Sequence, residues 1–136
     1  MMPRVPKDKE ALLAIALSRR RKSERVRGND QRSARLAANE AIFRAGNERI
    51  RSLVADALPR TPYICECGDE SCFEQVELAK DEYERVREDP ARFFVSPGHE
   101  DTTAGERIVE RCDQFIVVEK VGRAREVVTS TDPRKG

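Results

Sequence analysis

Apolar residues recur at helical intervals between Ser33 and Leu58, and this recurrence indicates one long amphipathic helix. Leu36, Phe43 and Ile50 are spaced seven residues apart, which keeps their side chains on one face of a helix. The residues that extend this face are Ala57, Ile42, Leu53, Val54 and Leu58. Pro59 follows and ends the pattern. The sequence therefore predicts a helix that packs through this apolar face.

The other face of the same helix is rich in charge and is expected to lie in water. Its residues are Arg35, Glu40, Arg44, Glu48, Arg49 and Arg51. Glu40 and Arg44 are four residues apart in the order that favours an ion pair along a helix. This pair is therefore predicted on the solvent side.

Shorter segments follow the helix and alternate in the manner of strands. The predicted strands are Tyr63–Ile64, Phe73–Leu78, Arg92–Ser96, Arg107–Arg111 and Gln114–Val121, the last two forming a hairpin. A short helix is predicted over Asp81–Asp89, where acidic residues lie in the first turn and Pro90 ends it. The predicted fold class is α+β, with a long N-terminal helix, a small antiparallel sheet and a short helix.

Charge divides the chain into a basic and an acidic part. The net charge is only +1, but residues 18–35 hold eight basic and two acidic residues, whereas residues 36–136 hold 15 basic and 21 acidic residues. We predict three segments: a basic, flexible N-terminal arm over 1–35, a single domain over 36–128, and a frayed C-terminal tail over 129–136. No apolar run approaches the roughly 20 residues of a membrane span, and basic residues stand where a signal-peptide cleavage site would be. A cytoplasmic location is expected.

Three cysteines form the most specific motif of the chain. Cys65, Cys67 and Cys72 lie within the segment C-E-C-G-D-E-S-C, and Gly68 directly after the second one suits a tight turn. Thiolates favour tetrahedral zinc, and ligands that are close in sequence are brought together at little ordering cost. This spacing predicts a structural zinc knuckle.

Two residues compete to be the fourth zinc ligand. His99 is the only histidine and lies in the turn-like segment S-P-G-H-E, whereas Cys112 lies between two predicted strands. His99 is favoured, since Cys112 can also be a small buried hydrophobic residue. Three other states of the thiols compete with zinc. They are disulfides, which a reducing compartment disfavours, an iron–sulfur cluster, whose common spacings differ from this one, and unliganded thiols.

Five blocks between Asn39 and Lys120 follow one another in a recognisable order. They are N-E-A-I-F-R, I-C-E-C-G-D-E-S-C-F-E-Q-V-E-L, E-Y-E-R-V-R-E-D-P-A-R-F, P-G-H-E and V-E-R-C-D-Q-F-I-V-V-E-K. In this order they resemble a family of small uncharacterised bacterial proteins. The resemblance matches the three clustered cysteines and His99 to family positions. The position of Cys112 is a histidine in many relatives, which makes Cys112 a candidate additional ligand. No activity is implied.

Three classes of function are compatible with these features. The first is a non-enzymatic interaction or regulatory protein with a protein or nucleic-acid partner. Its candidate nucleic-acid-binding residues are Arg19, Arg20, Arg21, Lys22, Arg25 and Arg27. The second is a thiol-based redox or metal sensor that uses the cysteine cluster. The third is a small metal-dependent hydrolase with Glu66 or Glu100 as general base. No phosphate-binding loop, nucleophile elbow or dinucleotide fingerprint is present in the sequence.

Overall fold

The computed structural model describes the backbone of residues 9–134 and the side chains of residues 31–134, and its architecture is α+β. Its elements in chain order are α1 (Lys9–Val54), a 3-10 turn (Ala55–Ala57), β1 (Thr61–Ile64), β2 (Gln75–Leu78), α2 (Lys80–Arg87), β3 (Arg92–Val95), β4 (Glu106–Arg111), β5 (Ile116–Lys120) and α3 (Gly122–Ser130). The predicted fold class is therefore confirmed.

The strands form two antiparallel sheets. β1 pairs with β2 in one sheet, and β5 lies between β3 and β4 in the other. All residues of β5 are buried, as expected of a central strand, while Val109 of β4 lies at an irregularity in the register. The predicted hairpin of β4 and β5 is thus present. Tyr63, Tyr83 and Phe94 pack their rings together and join β1, α2 and β3 in one core.

Helix α1 buries a different face from the predicted one. Glu40 and Arg44, which were expected in water, are each only 1% exposed, whereas Ile42 and Leu53 are 66% and 70% exposed. The prediction for these residues was wrong because the buried face is set by specific polar partners. Glu40 pairs with Lys120 on β5, and the guanidinium of Arg44 donates to the carbonyl oxygens of Pro90 and Val128. The predicted pair between Glu40 and Arg44 does not form.

Asn47 ties α1 to the first sheet. Its amide nitrogen donates to the carbonyl oxygen of Ile64, and its amide oxygen accepts from the backbone nitrogen of Ile64, both at 2.8 Å. Asn47 therefore supplies β1 with the hydrogen bonds that a neighbouring strand would otherwise make. This contact holds the end of β1 against α1, and Cys65 follows directly.

Helical structure extends beyond the predicted domain over 36–128 at both ends. α1 already begins at Lys9, so part of the predicted arm over 1–35 is helical, and residues 1–8 lie outside the described residues. Residues 129 and 130 belong to α3, and Arg134 forms ion pairs with Glu48 and Glu84. The C-terminal segment is therefore docked on the body as far as Arg134. Among the described helices, none is both long and apolar enough to cross a membrane.

Candidate metal centre

The cysteine knuckle is the loop between β1 and β2, closed by hydrogen bonds of its own. The backbone nitrogen of Cys65 donates to the carbonyl oxygen of Glu74 at 3.1 Å, and that of Cys72 donates to Asp69 at 3.0 Å. The loop turns at Gly68, whose φ of 80° lies in the left-handed region. A Cβ there would lie 3.2 Å from the carbonyl oxygen of Leu36, so glycine also permits close packing on α1.

His99 reaches the knuckle from the turn after β3. The backbone nitrogen of His99 donates to the carbonyl oxygen of Ser96 at 2.9 Å, which closes a turn through Gly98. The backbone nitrogen of Glu66 donates to the carbonyl oxygen of Phe94 at 3.1 Å and holds the knuckle beside β3. The two segments that carry the candidate ligands are thus joined by backbone hydrogen bonds.

The four donor atoms of Cys65, Cys67, Cys72 and His99 all lie within 4.8 Å of one another. The Nδ1 atom of His99 is 3.7 Å from the sulfur of Cys65 and 3.5 Å from the sulfur of Cys72. Cys65 is buried, and the other three are partly exposed. Such a Cys3His set can hold a metal ion.

The surroundings of the four residues orient the ligand atoms. The backbone nitrogen of Ser96 donates to the sulfur of Cys65 at 3.3 Å. The other ring nitrogen of His99, Nε2, lies 3.4 Å from the carboxylate of Glu74. A carboxylate on Nε2 keeps the proton on that nitrogen and leaves the Nδ1 lone pair directed toward the sulfurs.

Hydrogen bonds and burial shift the pKa values of the four candidate ligands. A hydrogen bond with Cys67 lowers the pKa of Cys65, and the same hydrogen bond raises the pKa of Cys67. Burial raises the pKa of Cys72, and a hydrogen bond with Cys67 raises the pKa of His99. In the protein alone these shifts favour the thiolate of Cys65 over those of Cys67 and Cys72, whereas a cation at such a site favours the thiolate form of its ligands.

Cys112 lies apart from this group. It sits in the turn between β4 and β5, where its sulfur donates to the carboxylate of Glu110 at 3.4 Å. It lines a separate pocket with Arg60 and Glu82. The structure therefore brings His99, and not Cys112, to the three clustered cysteines.

The two acids considered as general bases are both engaged. Glu66 is fully buried, where its carboxylate pairs with Arg87 and accepts from the Asn47 amide at 2.8 Å and the backbone nitrogen of Phe94 at 3.3 Å. Burial raises its pKa, an effect that the charge of Arg87 opposes. Glu100 accepts from the backbone nitrogen of Gly98 at 2.9 Å. Glu66 therefore fastens the knuckle to α1, α2 and β3.

Sequence reasoning missed Glu74, Asn47 and Arg87 as supports of this centre. Only Glu74 had a signal, since it follows Cys72 by two residues and carboxylates often orient metal-bound histidines. The six basic candidates for nucleic-acid binding lie on α1, in the part whose side chains are not described.

Comparisons with protein-family models, with curated proteins and with solved structures found no match to this chain.

Proposed function

We propose that this chain is a non-enzymatic interaction protein whose fold is held by one structural zinc ion. Cys65, Cys67, Cys72 and His99 would be its ligands. The observation that carries the proposal is the convergence of these four donor atoms from two separate segments.

The spacing of the donors supports zinc. Ideal tetrahedral zinc, with bonds of about 2.3 Å to sulfur and about 2.0–2.1 Å to nitrogen, separates a sulfur from a nitrogen by roughly 3.5 Å. The distances from Nδ1 of His99 to the sulfurs of Cys72 and Cys65 are 3.5 and 3.7 Å. These two separations match those expected around the ion, and all four donor atoms lie within 4.8 Å of one another. An imidazole among the ligands also favours zinc over an all-thiolate iron–sulfur cluster.

A structural role is favoured over a hydrolytic one. Four protein ligands fill a tetrahedral zinc ion, whereas catalytic zinc keeps one position for water. The ion pair with Arg87 also engages Glu66, the acid that lies between Cys65 and Cys67 in the sequence. Zinc held this way would supply on the order of 10 kcal/mol of apparent folding free energy.

The position of the centre explains what zinc would stabilise. Three of the ligands lie in the loop of the β1–β2 sheet, and the fourth follows β3 of the other sheet. A bound ion would therefore fasten one sheet to the other. It would add to the contacts that already join the sheets, which include the ring packing of Tyr63 on Phe94, the backbone hydrogen bond to Phe94 and the carboxylate of Glu66.

The test is thermal unfolding of the zinc-loaded protein before and after addition of a chelator, in the wild type and in two matched variants. We expect the chelator to unfold the wild type, Cys67→Ser to unfold or aggregate without it, and Cys112→Ser to behave as the wild type. A Cys67→Ser variant that stays soluble and as stable as the wild type would contradict a structural zinc.

The partner we propose for this module is nucleic acid, bound through the basic part of α1. The supporting observation is that Arg19, Arg20, Arg21, Lys22, Arg25 and Arg27 follow one another within the helix. Lysines and arginines that neutralise phosphates release counterions, so binding should weaken steeply with salt. We expect duplex DNA or RNA to bind at low salt, measured by fluorescence anisotropy, and binding to disappear when these six residues are changed to glutamine. Binding that is unaffected by the six changes would contradict this choice.

A further inference from the structure

A cleft of about 810 Å³ opens beside the candidate metal centre. Its lining comes from three segments: α1, the turn of the knuckle, and the loop that carries Gly98 and Asp101. The ion pair between Arg32 and Asp101, at 2.9 Å, connects α1 with this loop. The cleft is therefore bounded by the same three segments that position the ligands.

Two of the four candidate ligands form part of the wall of this cleft. Cys67 and His99 line it, whereas Cys65 and Cys72 do not. The side chain of His99 is 28% exposed, and Cys65 is only 1% exposed. An ion or a small molecule in the cleft would thus meet the centre on its Cys67 and His99 side.

Charge is distributed unevenly over the two walls. Asp69 and Glu70, both exposed, stand on the knuckle wall directly after Cys67 and Gly68, and Arg35 stands exposed on the helix wall. The other charged groups of the cleft are already paired, Arg32 with Asp101, and Glu40 and Glu106 with Lys120. The wall next to the ligands is therefore acidic, and an acidic wall attracts cations and repels anions.

We propose that this cleft is the route by which divalent metal ions and competing ligands reach Cys67 and His99, and that Glu70 sets the exchange rate by its charge. The inference rests on the proposed zinc site and adds how that site is loaded and unloaded. Exchange of one divalent ion for another only breaks and forms metal–ligand bonds. In that exchange the three thiolates and the imidazole keep their protonation, whereas extraction without replacement lets the freed thiolates take up protons from water. Neither process needs an oxidant or reductant.

The experiment measures two exchange rates on the zinc-loaded full chain: replacement of zinc by Cd²⁺, followed by thiolate-to-metal absorbance, and extraction of zinc by an anionic chelator. Glu70→Lys is compared with Glu88→Lys, which makes the same charge change at an exposed residue outside the cleft. We expect Glu70→Lys to slow Cd²⁺ entry by about threefold to tenfold at low salt, to accelerate extraction by the anionic chelator, and to lose both effects at high salt. Arg35→Glu, on the helix wall, should accelerate Cd²⁺ entry.

The opposite changes expected in the two exchange rates distinguish attraction or repulsion by charge from loosening of the knuckle. A Glu70→Lys variant in which both rates rise would show loosening and would overturn the inference. Rates that match those of Glu88→Lys would also overturn it, because the cleft would then not be the route. A wild-type protein that holds no zinc would instead contradict the proposed function.

Discussion

Glu40 is a buried carboxyl group that shares one lysine with a second acid. Its Oε1 atom and that of Glu106 each lie 2.5 Å from the Nζ atom of Lys120, which is fully buried. The Oε2 atom of Glu40 has no hydrogen-bond partner among the described residues. Desolvation therefore outweighs the attraction of Lys120 and raises the pKa of Glu40 to about 8.

This raised pKa predicts that Glu40 makes the protein less stable as the pH rises. Between the ordinary value of 4.5 and about 8, the folded state keeps a proton that the unfolded state has lost. The contribution of Glu40 is then full below pH 4.5 and is lost as the pH approaches 8.

Glu40→Gln, which keeps the shape of the side chain and cannot ionise, should remove this loss of stability. Denaturant unfolding of both zinc-loaded proteins should show the variant gaining stability relative to the wild type between pH 5 and 8.5, by on the order of 1 kcal/mol or more. A difference that does not vary with pH would contradict this assignment.

Glu74 should strengthen metal binding through His99. Its carboxylate lies 3.4 Å from Nε2 of His99 and would hold the ring with Nδ1 directed toward the metal. Loss of such a support typically lowers metal affinity by about tenfold to a hundredfold. We expect that loss for Glu74→Gln in a competition titration against a chelator. Glu77→Gln, an exposed acid on β2, is the control and should bind zinc like the wild type.

At the residue scale, the ligands could be predicted and their supports could not. Three thiols within eight residues and a single histidine in the whole chain leave few candidates for the metal ligands. Glu74, by contrast, is one of 25 acidic residues, and its position two residues after Cys72 is only a weak signal. Its role depends on the turn that brings His99 beside it, which no local pattern specifies.

At the scale of elements, helix α1 shows where periodicity fails. Leu36, Phe43 and Ile50 are only partly buried, while Glu40 and Arg44 lie inside. A hydrophobic pattern treats every charge as solvent-facing. Here both side chains are buried because Lys120 binds Glu40 and two carbonyl oxygens bind Arg44, and these partners are all distant in sequence.

Asn47 should be the most costly amide to remove from α1. It is fully buried and makes three hydrogen bonds, two to the backbone of Ile64 and one to Glu66. Asn47→Ala leaves these groups without partners, so we expect a loss of about 2–3 kcal/mol in denaturant unfolding. Asn39→Ala removes a single bond at 3.2 Å to the carbonyl oxygen of Gly68 and should cost about 1 kcal/mol or less. Equal losses in the two variants would contradict the role given to Asn47.

Helix α3 was missed for a physical reason. Its residues include Val127, Val128 and Thr129, which are β-branched and poor helix formers. The helix forms because Ala124 and Val128 are buried against the body and because Arg44 binds the carbonyl oxygen of Val128. The strands of the second sheet were predictable because their runs of β-branched and aromatic residues are local features of the sequence.

Truncation of the chain should distinguish the contribution of α3 to stability from that of the segment after it. A chain that ends at Thr131 loses the ion pairs of Arg134 with Glu48 and Glu84, which are partly exposed, and should lose only about 1 kcal/mol. A chain that ends at Val121 also loses the buried residues of α3 and should not fold. Circular dichroism with denaturant unfolding measures both. A stable chain without α3 would contradict its place in the core.

At the scale of the whole molecule, two small sheets meet at the cysteine knuckle. Cys65, Cys67 and Cys72 belong to the loop of one sheet, and His99 follows a strand of the other. The α+β class could be predicted from the order of the segments. The contact between the sheets could not, because it combines the packing of Tyr63 on Phe94 with the burial of Glu66 against Arg87, and these residues are distant in sequence.

The central claim is that these four residues hold one zinc ion, and X-ray absorption at the zinc edge with elemental analysis tests it most directly. We predict one zinc per chain, with three sulfur neighbours at about 2.3 Å and one nitrogen neighbour at about 2.0–2.1 Å. Cys112→Ser should leave this spectrum unchanged, and His99→Ala should remove the nitrogen. Four sulfur neighbours that become three in Cys112→Ser, iron in place of zinc, or no metal at all would contradict the account.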